Sequence, residues 1–298
     1  LALSSWRFET VRLLIENGAD VNVHDGTHST PLHMALALGC LKTVQLLIEN
    51  GADVNALDGS HKTPLHLASP SFHPEFGQLL IEHGADVNAL DGNRKTPLHL
   101  ASSGVSVQTV WLLLENGAHV TARDDAHSTP LHLASSEGTR DITQLLIEHG
   151  ADVNAQDESH RTPLHLASHK GERLIERYRQ ATYDETAEIV RVLIRNGADL
   201  TARDKTQSTP LHLASSKGSG DTMKLLILNG ADVNAQDERH STPLHLTASS
   251  HFALKGNVVR LLLSHGANVS AKDDRDQTPF HIASSSGLSE IAELLSGE

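Results

Sequence analysis

Twenty-one of the 298 residues are histidine, enough to raise a metal centre as the first hypothesis. The spacing argues against it. Eight of them, His33, His66, His99, His132, His165, His212, His245 and His281, close a recurring Thr-Pro-Leu-His motif, with Phe280 replacing Leu in the last copy. Five more, His28, His61, His127, His160 and His240, stand five residues before a motif histidine. Packed helical layers lie about 8–10 Å apart, whereas two nitrogens on one zinc must approach to about 3–4 Å. One histidine per layer cannot make such a site, so no metal and no cofactor is expected. His24 and His28 beside Asp25 come nearest to a ligand set. Nothing matches a phosphate-binding loop, a nucleophile elbow or an H-E-x-x-H helix. Cys40 reads as a small packed residue rather than a nucleophile. Asn268-Val269-Ser270 fits a glycosylation sequon, a pattern short enough to arise by chance.

The motif is the organising signal. Its copies begin at Thr30, Thr63, Thr96, Thr129, Thr162, Thr209, Thr242 and Thr278, at spacings of 33, 33, 33, 33, 47, 33 and 36. A second marker, Gly-Ala usually followed by Asp, keeps the same register from Gly18 to Gly266. A fixed period of this length means stacked units rather than one globular core. In the copy that starts at Asp124, Thr129 can cap a helix and Pro130 suits its first turn. Leu131, Leu133 and Ala134 give that helix an apolar face, and Gly138 ends it. Asp141 opens a second helix whose Ile142, Leu145, Leu146 and Ile147 follow helical spacing. Gly150 can stop it in a left-handed conformation. Val153 to Ala155 reads as a short extended link to the next unit. One such unit cannot bury its apolar face alone, so neighbours complete the core.

With its 33-residue period and T-P-L-H-x-A pattern, the chain resembles the ankyrin-repeat family over its whole length. The resemblance implies an all-α solenoid in which each repeat is a β-hairpin finger followed by two antiparallel helices. It also implies that the motif histidines bond within and between repeats. Nine stacked repeats are expected in a single array over 1–298, the first and last incomplete. A partial repeat covers 1–24, and further repeats start at 25, 58, 91, 124, 157, 204, 237 and 273, the last of them incomplete. Leu1 aligns with the middle of a first helix, so the opening reads as a cut from a longer protein.

Function in a repeat protein should lie where the copies depart from one another. The family ordinarily has Gly two residues before the motif Thr. This chain has His28, His61, Arg94, His127, His160, Gln207, His240 and Asp276. A turn that favours positive φ is thus filled by non-glycine residues at some cost. Either the finger turn differs from the family's, or these side chains repay the strain by contact with a partner. Lys62, Lys95, Arg161, Lys205 and Arg239 vary beside them on the same fingertips. Trp111 stands where other copies carry Arg12, Gln45, Gln144, Arg191 or Lys224, which predicts an exposed indole, a residue type favoured at interface hot spots. About fourteen extra residues near 172–185 hold Tyr178 and Tyr183; they read as an extended, self-packed helix pair or as a partner-contacting protrusion. Three more extra residues fall near 249–255. Pro70 should shorten one first helix, Pro74 should open the second helix after it, and Phe72 and Phe76 should fill the space left.

The formal charge of −13 argues against nucleic acid, which selects clustered Lys and Arg. Nineteen of the 37 acidic residues occupy three recurring positions, so much of this charge is scaffold. No apolar run is long enough to span a membrane. A single cysteine excludes a disulfide-stapled secreted fold, and the expected compartment is the interior of the cell, the cytoplasm. Only 3% of residues are aromatic, which suits a thin core of Leu, Ile, Val and Ala. The leading expectation is a non-catalytic scaffold, a monomeric array that binds another protein through its fingertips and the concave first-helix surface. The alternative is a spacer or sensor segment of a larger protein. An enzyme or small-molecule binder comes third, because stacked repeats seldom enclose a deep pocket.

Overall fold

The computed structural model describes residues 2–71, 73–137, 139–169, 185–249 and 255–296. It opens with helix α1 (Ala2–Glu16). Helix pairs follow: α2 (Pro31–Ala37) with α3 (Leu41–Glu49), α4 (Pro64–Ala68) with α5 (Pro74–Glu82), α6 (Pro97–Ser102) with α7 (Val107–Glu115), and α8 (Pro130–Glu137) with α9 (Arg140–Glu148). The next are α10 (Pro163–His169) with α11 (Glu185–Arg195), α12 (Pro210–Lys217) with α13 (Gly220–Leu228), α14 (Pro243–Ser249) with α15 (Lys255–Ser264), and α16 (Pro279–Ser285) with α17 (Ser289–Ser296). The chain divides into two compact units, Leu1–Ala151 and Asp152–Glu298. Within each, first helices pack on first helices and second helices on second helices.

The first helices start where the motif requires. Thr96 is extended at φ −88° and ψ 165°, and Pro97 takes the first helical position, where a missing N–H costs nothing. Leu32, Leu65, Leu98, Leu131, Leu164, Leu211 and Leu244 are fully buried at the third motif position. Leu47, Leu80, Leu113, Leu146, Leu193, Leu226 and Leu262 form the matching row on the second helices. Removing one such side chain to Ala costs about 2–5 kcal/mol. The second helices end as expected: Gly150 lies at φ 90°, its N–H bonds Ile147 O at 2.9 Å, and Ala151 N–H reaches Leu146 O at 3.0 Å. Pro70 and Pro74 act as expected too. Helix α4 has five residues, Pro74 opens α5, and Phe76 is buried. Phe72, Gly138 and most of both insertions, 172–184 and 250–254, lie outside the described residues.

Two local expectations are corrected. Among the described residues the fingers contain no β-strand. Asp25 N–H bonds Ser29 O and His28 N–H bonds Asp25 O, both at 3.0 Å, which closes a tight turn. The N–H groups between them are diverted to a side chain: Asp25 Oδ1 accepts from Thr27 and Ser29 at 2.8 and 2.9 Å. A ladder needs those donors facing a neighbouring strand, so an Asp-closed turn forms instead. Val153 to Ala155 is likewise a turn and not an extended piece. Asn154 N–H bonds Asp152 Oδ1 at 2.9 Å and Ala155 N–H bonds Asp152 O at 3.2 Å. Asp prefers this local bond to its own backbone two residues on.

Candidate protein-binding surface

The motif histidines are framework. Thr96 N–H and the Thr96 hydroxyl face His99 Nδ1 at 3.1 and 2.9 Å, and His99 N–H faces Thr96 Oγ1 at 3.4 Å. This is a capping box in which His replaces the usual Glu or Gln. His99 Nε2 lies 3.0 Å from Ser128 O in the next finger. With two donors at Nδ1 and a carbonyl at Nε2, the ring is neutral and carries its proton on Nε2. His33, His66, His165, His212 and His245 repeat the bridge, onto the carbonyls of Lys62, Lys95, Ser208, Ser241 and Gln277. Burial pushes the pKa of His66, His99, His165, His212 and His245 down, against the smaller opposing effect of the carbonyl each one bonds. The bonding within and between repeats that the resemblance implied is what these six rings do.

Asparagine supplies a second set of rivets that sequence reasoning missed. Asn88 Nδ2 donates to Gly117 O at 3.0 Å and Asn88 Oδ1 accepts from His119 N–H at 2.8 Å. Asn22, Asn55, Asn154 and Asn234 make the same pair of bonds to the following repeat. The signal was available: these five Asn share one repeat position, four residues after the Gly of the Gly-Ala marker.

Fingertip backbones are equally committed. In every finger the first Asp accepts two backbone N–H groups on Oδ1, as Asp91 does from Asn93 and Lys95, both at 2.9 Å. Within each unit adjacent fingers are joined by one backbone bond, such as Gly92 N–H to Ser60 O at 2.9 Å or Glu238 N–H to Thr206 O at 2.9 Å. At Asp25 the carboxyl is held below the ordinary range, first by the Thr27 hydroxyl and then by the N–H groups of Ser29 and Thr27.

The side chains differ from this uniform frame. All eight residues at the tip have positive φ, from 55° at His240 to 59° at His28 and His160. The turn therefore keeps its left-handed geometry without glycine. His28, His61, Arg94, His127, His160 and His240 are all exposed, as are Lys205 and Arg239. Lys62, Lys95 and Arg161 are half-buried, and their backbone N–H groups belong to the Asp closure. The Arg161 guanidinium lies on the buried Asp157 carboxylate at 2.8 Å, so this side chain also serves its own finger. Arg94 Nε sits 3.9 Å from Asp125 across adjacent tips, both exposed. Trp111 is 52% exposed on α7, as its register predicted. Tyr178 and Tyr183 lie outside the described residues. Cys40 is half-buried at the start of α3. Among the described residues no three His, Cys, Asp or Glu side chains converge as metal ligands, and no helix is long and apolar enough to cross a membrane.

Stacked helix pairs joined by Asp-closed fingers and riveted by His and Asn define a repeat scaffold of the solenoid class. The family comparison agrees. Residues 1–58, 55–124, 122–178, 179–237 and 214–298 each match the description "Ankyrin repeats (3 copies)", and the chain belongs to the ankyrin-repeat family. Repeats of this family generally serve as protein–protein interaction scaffolds. No curated protein matches the chain.

Proposed function

We propose that the chain is a non-catalytic scaffold that recognises another protein through its fingertip side chains and the adjoining first helices. One observation carries this reading. At eight equivalent tips the backbone is fixed at positive φ, yet the residue there is His, Arg, Gln or Asp and never Gly. A non-glycine residue in this region costs about 1–2 kcal/mol. Backbone strain that is retained tends to mark a functional position. At His28, His61, His127, His160 and His240 the imidazole nitrogens make no hydrogen bond among the described residues, so side-chain hydrogen bonding does not offset this cost. Lys62, Arg94, Lys95, Lys205 and Arg239 vary the charge beside them on a constant frame, as specificity by differential contact requires. Adjacent fingers joined by backbone bonds hold these groups with little ordering cost on binding. The working form is a monomeric array in the cytoplasm; a lone cysteine, half-buried, suits a reducing compartment.

The test is a binding titration against the partner recovered with the array by pulldown. Arg94→Glu and Lys95→Glu combined with His127→Ala and His160→Ala should weaken binding at least about tenfold. The melting temperature should move little, because exposed substitutions change stability by about 0.5 kcal/mol or less. Deleting 172–185 should matter less. Normal binding by the fingertip variant with loss on deletion would move the interface to the insertion.

A further inference from the structure

The outer face of the second helices in the first unit presents an anchor that the scaffold does not need. Helix α7 packs between α5 and α9. In α3, α5 and α9 the equivalent mid-helix position is Gln, exposed at Gln45 and Gln78 and half-buried at Gln144, and each amide donates to the Glu four residues on: Gln45 to Glu49 at 2.9 Å, Gln78 to Glu82 at 2.6 Å, Gln144 to Glu148 at 2.9 Å. In α7 that position is Trp111, 52% exposed. Glu115 therefore lacks the amide, and the basic group nearest it is His149 Nε2 at 3.6 Å.

The carboxylates, which recur at one repeat position, sit where the helix itself disfavours them. Glu49, Glu82, Glu115 and Glu148 are the last residues of the second helices of four successive repeats, none of which has a basic residue in its last turn. There the helix dipole is negative, and an added carboxylate costs about 0.3–1 kcal/mol where a cation would be favoured. The second unit shows that the fold does not demand this, because its equivalent residues are Arg195, Leu228 and Ser264. A cation brought to each helix end would meet both the carboxylate and the dipole.

We propose that the outer face of α5, α7 and α9 is a second docking surface, which takes a Lys- and Arg-rich segment of a protein with Trp111 as its anchor. Trp is the best aromatic for a cation over the ring face, and Glu82, Glu115 and Glu148 flank it on three adjacent helices. Neighbouring helices lie about 8–10 Å apart. An extended chain covers that distance in about three residues at about 3.3 Å each. The fitting segment is therefore extended, with a basic residue at about every third position. This assignment does not rest on the fingertip reading, which concerns a different face.

The probe is a fluorescently labelled synthetic peptide with Arg at every third position and Ser or Thr between, read by anisotropy against the whole chain. Saturable binding that weakens with salt is expected. Trp111→Gln, which installs the residue used by the neighbouring repeats, should weaken binding at least about tenfold while the melting temperature holds. Glu82→Gln with Glu115→Gln and Glu148→Gln should weaken it as much. Asp221→Asn with Glu290→Gln and Glu293→Gln removes equal charge from the second unit and should leave binding unchanged. No binding by the parent chain, unchanged binding by Trp111→Gln, or equal loss in the second-unit variant would each overturn the proposal.

Discussion

Replacing His99 by Ala isolates what a motif histidine does. The ring is fully buried and meets three groups: Thr96 N–H, the Thr96 hydroxyl and the carbonyl of Ser128. The hydroxyl can rotate toward another acceptor. The two backbone groups cannot follow, and both are buried. An orphaned buried donor or acceptor costs about 1–3 kcal/mol. Two of them at the lower half of that range, with water reaching part of the gap, give about 2–4 kcal/mol. The loss falls at the junction of two repeats, because one of the bonds links them. Urea unfolding followed by circular dichroism measures it, and hydrogen exchange at Ser128 and its neighbours locates it. His99→Gln is the discriminating companion: its amide oxygen can still accept from Thr96 N–H, as Gln does in an ordinary capping box, so it should recover part of the loss. At fingertip His127 the same change to Ala should cost about 0.5 kcal/mol or less. A loss at His99 below about 0.5 kcal/mol, or equal losses at His99 and His127, would refute the assignment of His99 as a buried bridge.

The same rings make stability depend on pH. Burial lowers the pKa of His66, His99, His165, His212 and His245 in the fold, so the unfolded chain binds more protons. Stability is then fully present above the unfolded value of about 6.5 and is lost as pH falls from there to the lowered folded values, at up to about 1.4 kcal/mol per pH unit for each ring. Urea midpoints at several pH values check this, and a midpoint that rises on acidification through this range would contradict it. Asn88→Ala removes two bonds to the next repeat and should cost about 1–2 kcal/mol; chemical denaturation of this variant beside Asn116→Ala, whose amide bonds only its own helix at Leu112 O, separates the inter-repeat contribution.

Much of this was legible in the sequence because repetition amplifies weak signals. A single Thr-Pro-Leu-His says little, but eight copies in one register give helix starts, helix stops and the buried Leu rows at once. At the fingertips the family's Gly position pointed to positive φ, but the sequence left open a different turn, and the observed φ values keep the left-handed one. The finger's hydrogen bonding was not. Period-two patterning would announce a strand, whereas the diversion of two N–H groups to Asp25 Oδ1 is an affair of one side chain. The asparagine rivets went unread although their recurrence was in plain view, because Asn after a helix stop suits a turn as well as a bridge. Arg161 misled by type: an Arg on a fingertip looks available, but the buried Asp157 beneath it holds the guanidinium.

The arrangement separates two tasks that compete in most proteins. In each finger the N–H groups two and four residues after the first Asp go to its carboxylate. The left-handed residue's N–H goes to that Asp's carbonyl, and a further bond links each finger to the next within a unit. Of the tip side chains, the Arg161 guanidinium and the Thr27 and Thr206 hydroxyls also bond that Asp carboxylate. On the proposed reading, substitution at the other tip side chains changes what is bound while the frame that spaces the tips stays intact. The interior has the opposite logic. The motif His and the Asn each bond across two repeats, and neighbouring helices complete one another's core, so a change in one repeat is felt in the next and stability behaves as a chain of nearest-neighbour links. Selection on binding can then act on tips and on the outer helix face without having to rebuild the stack.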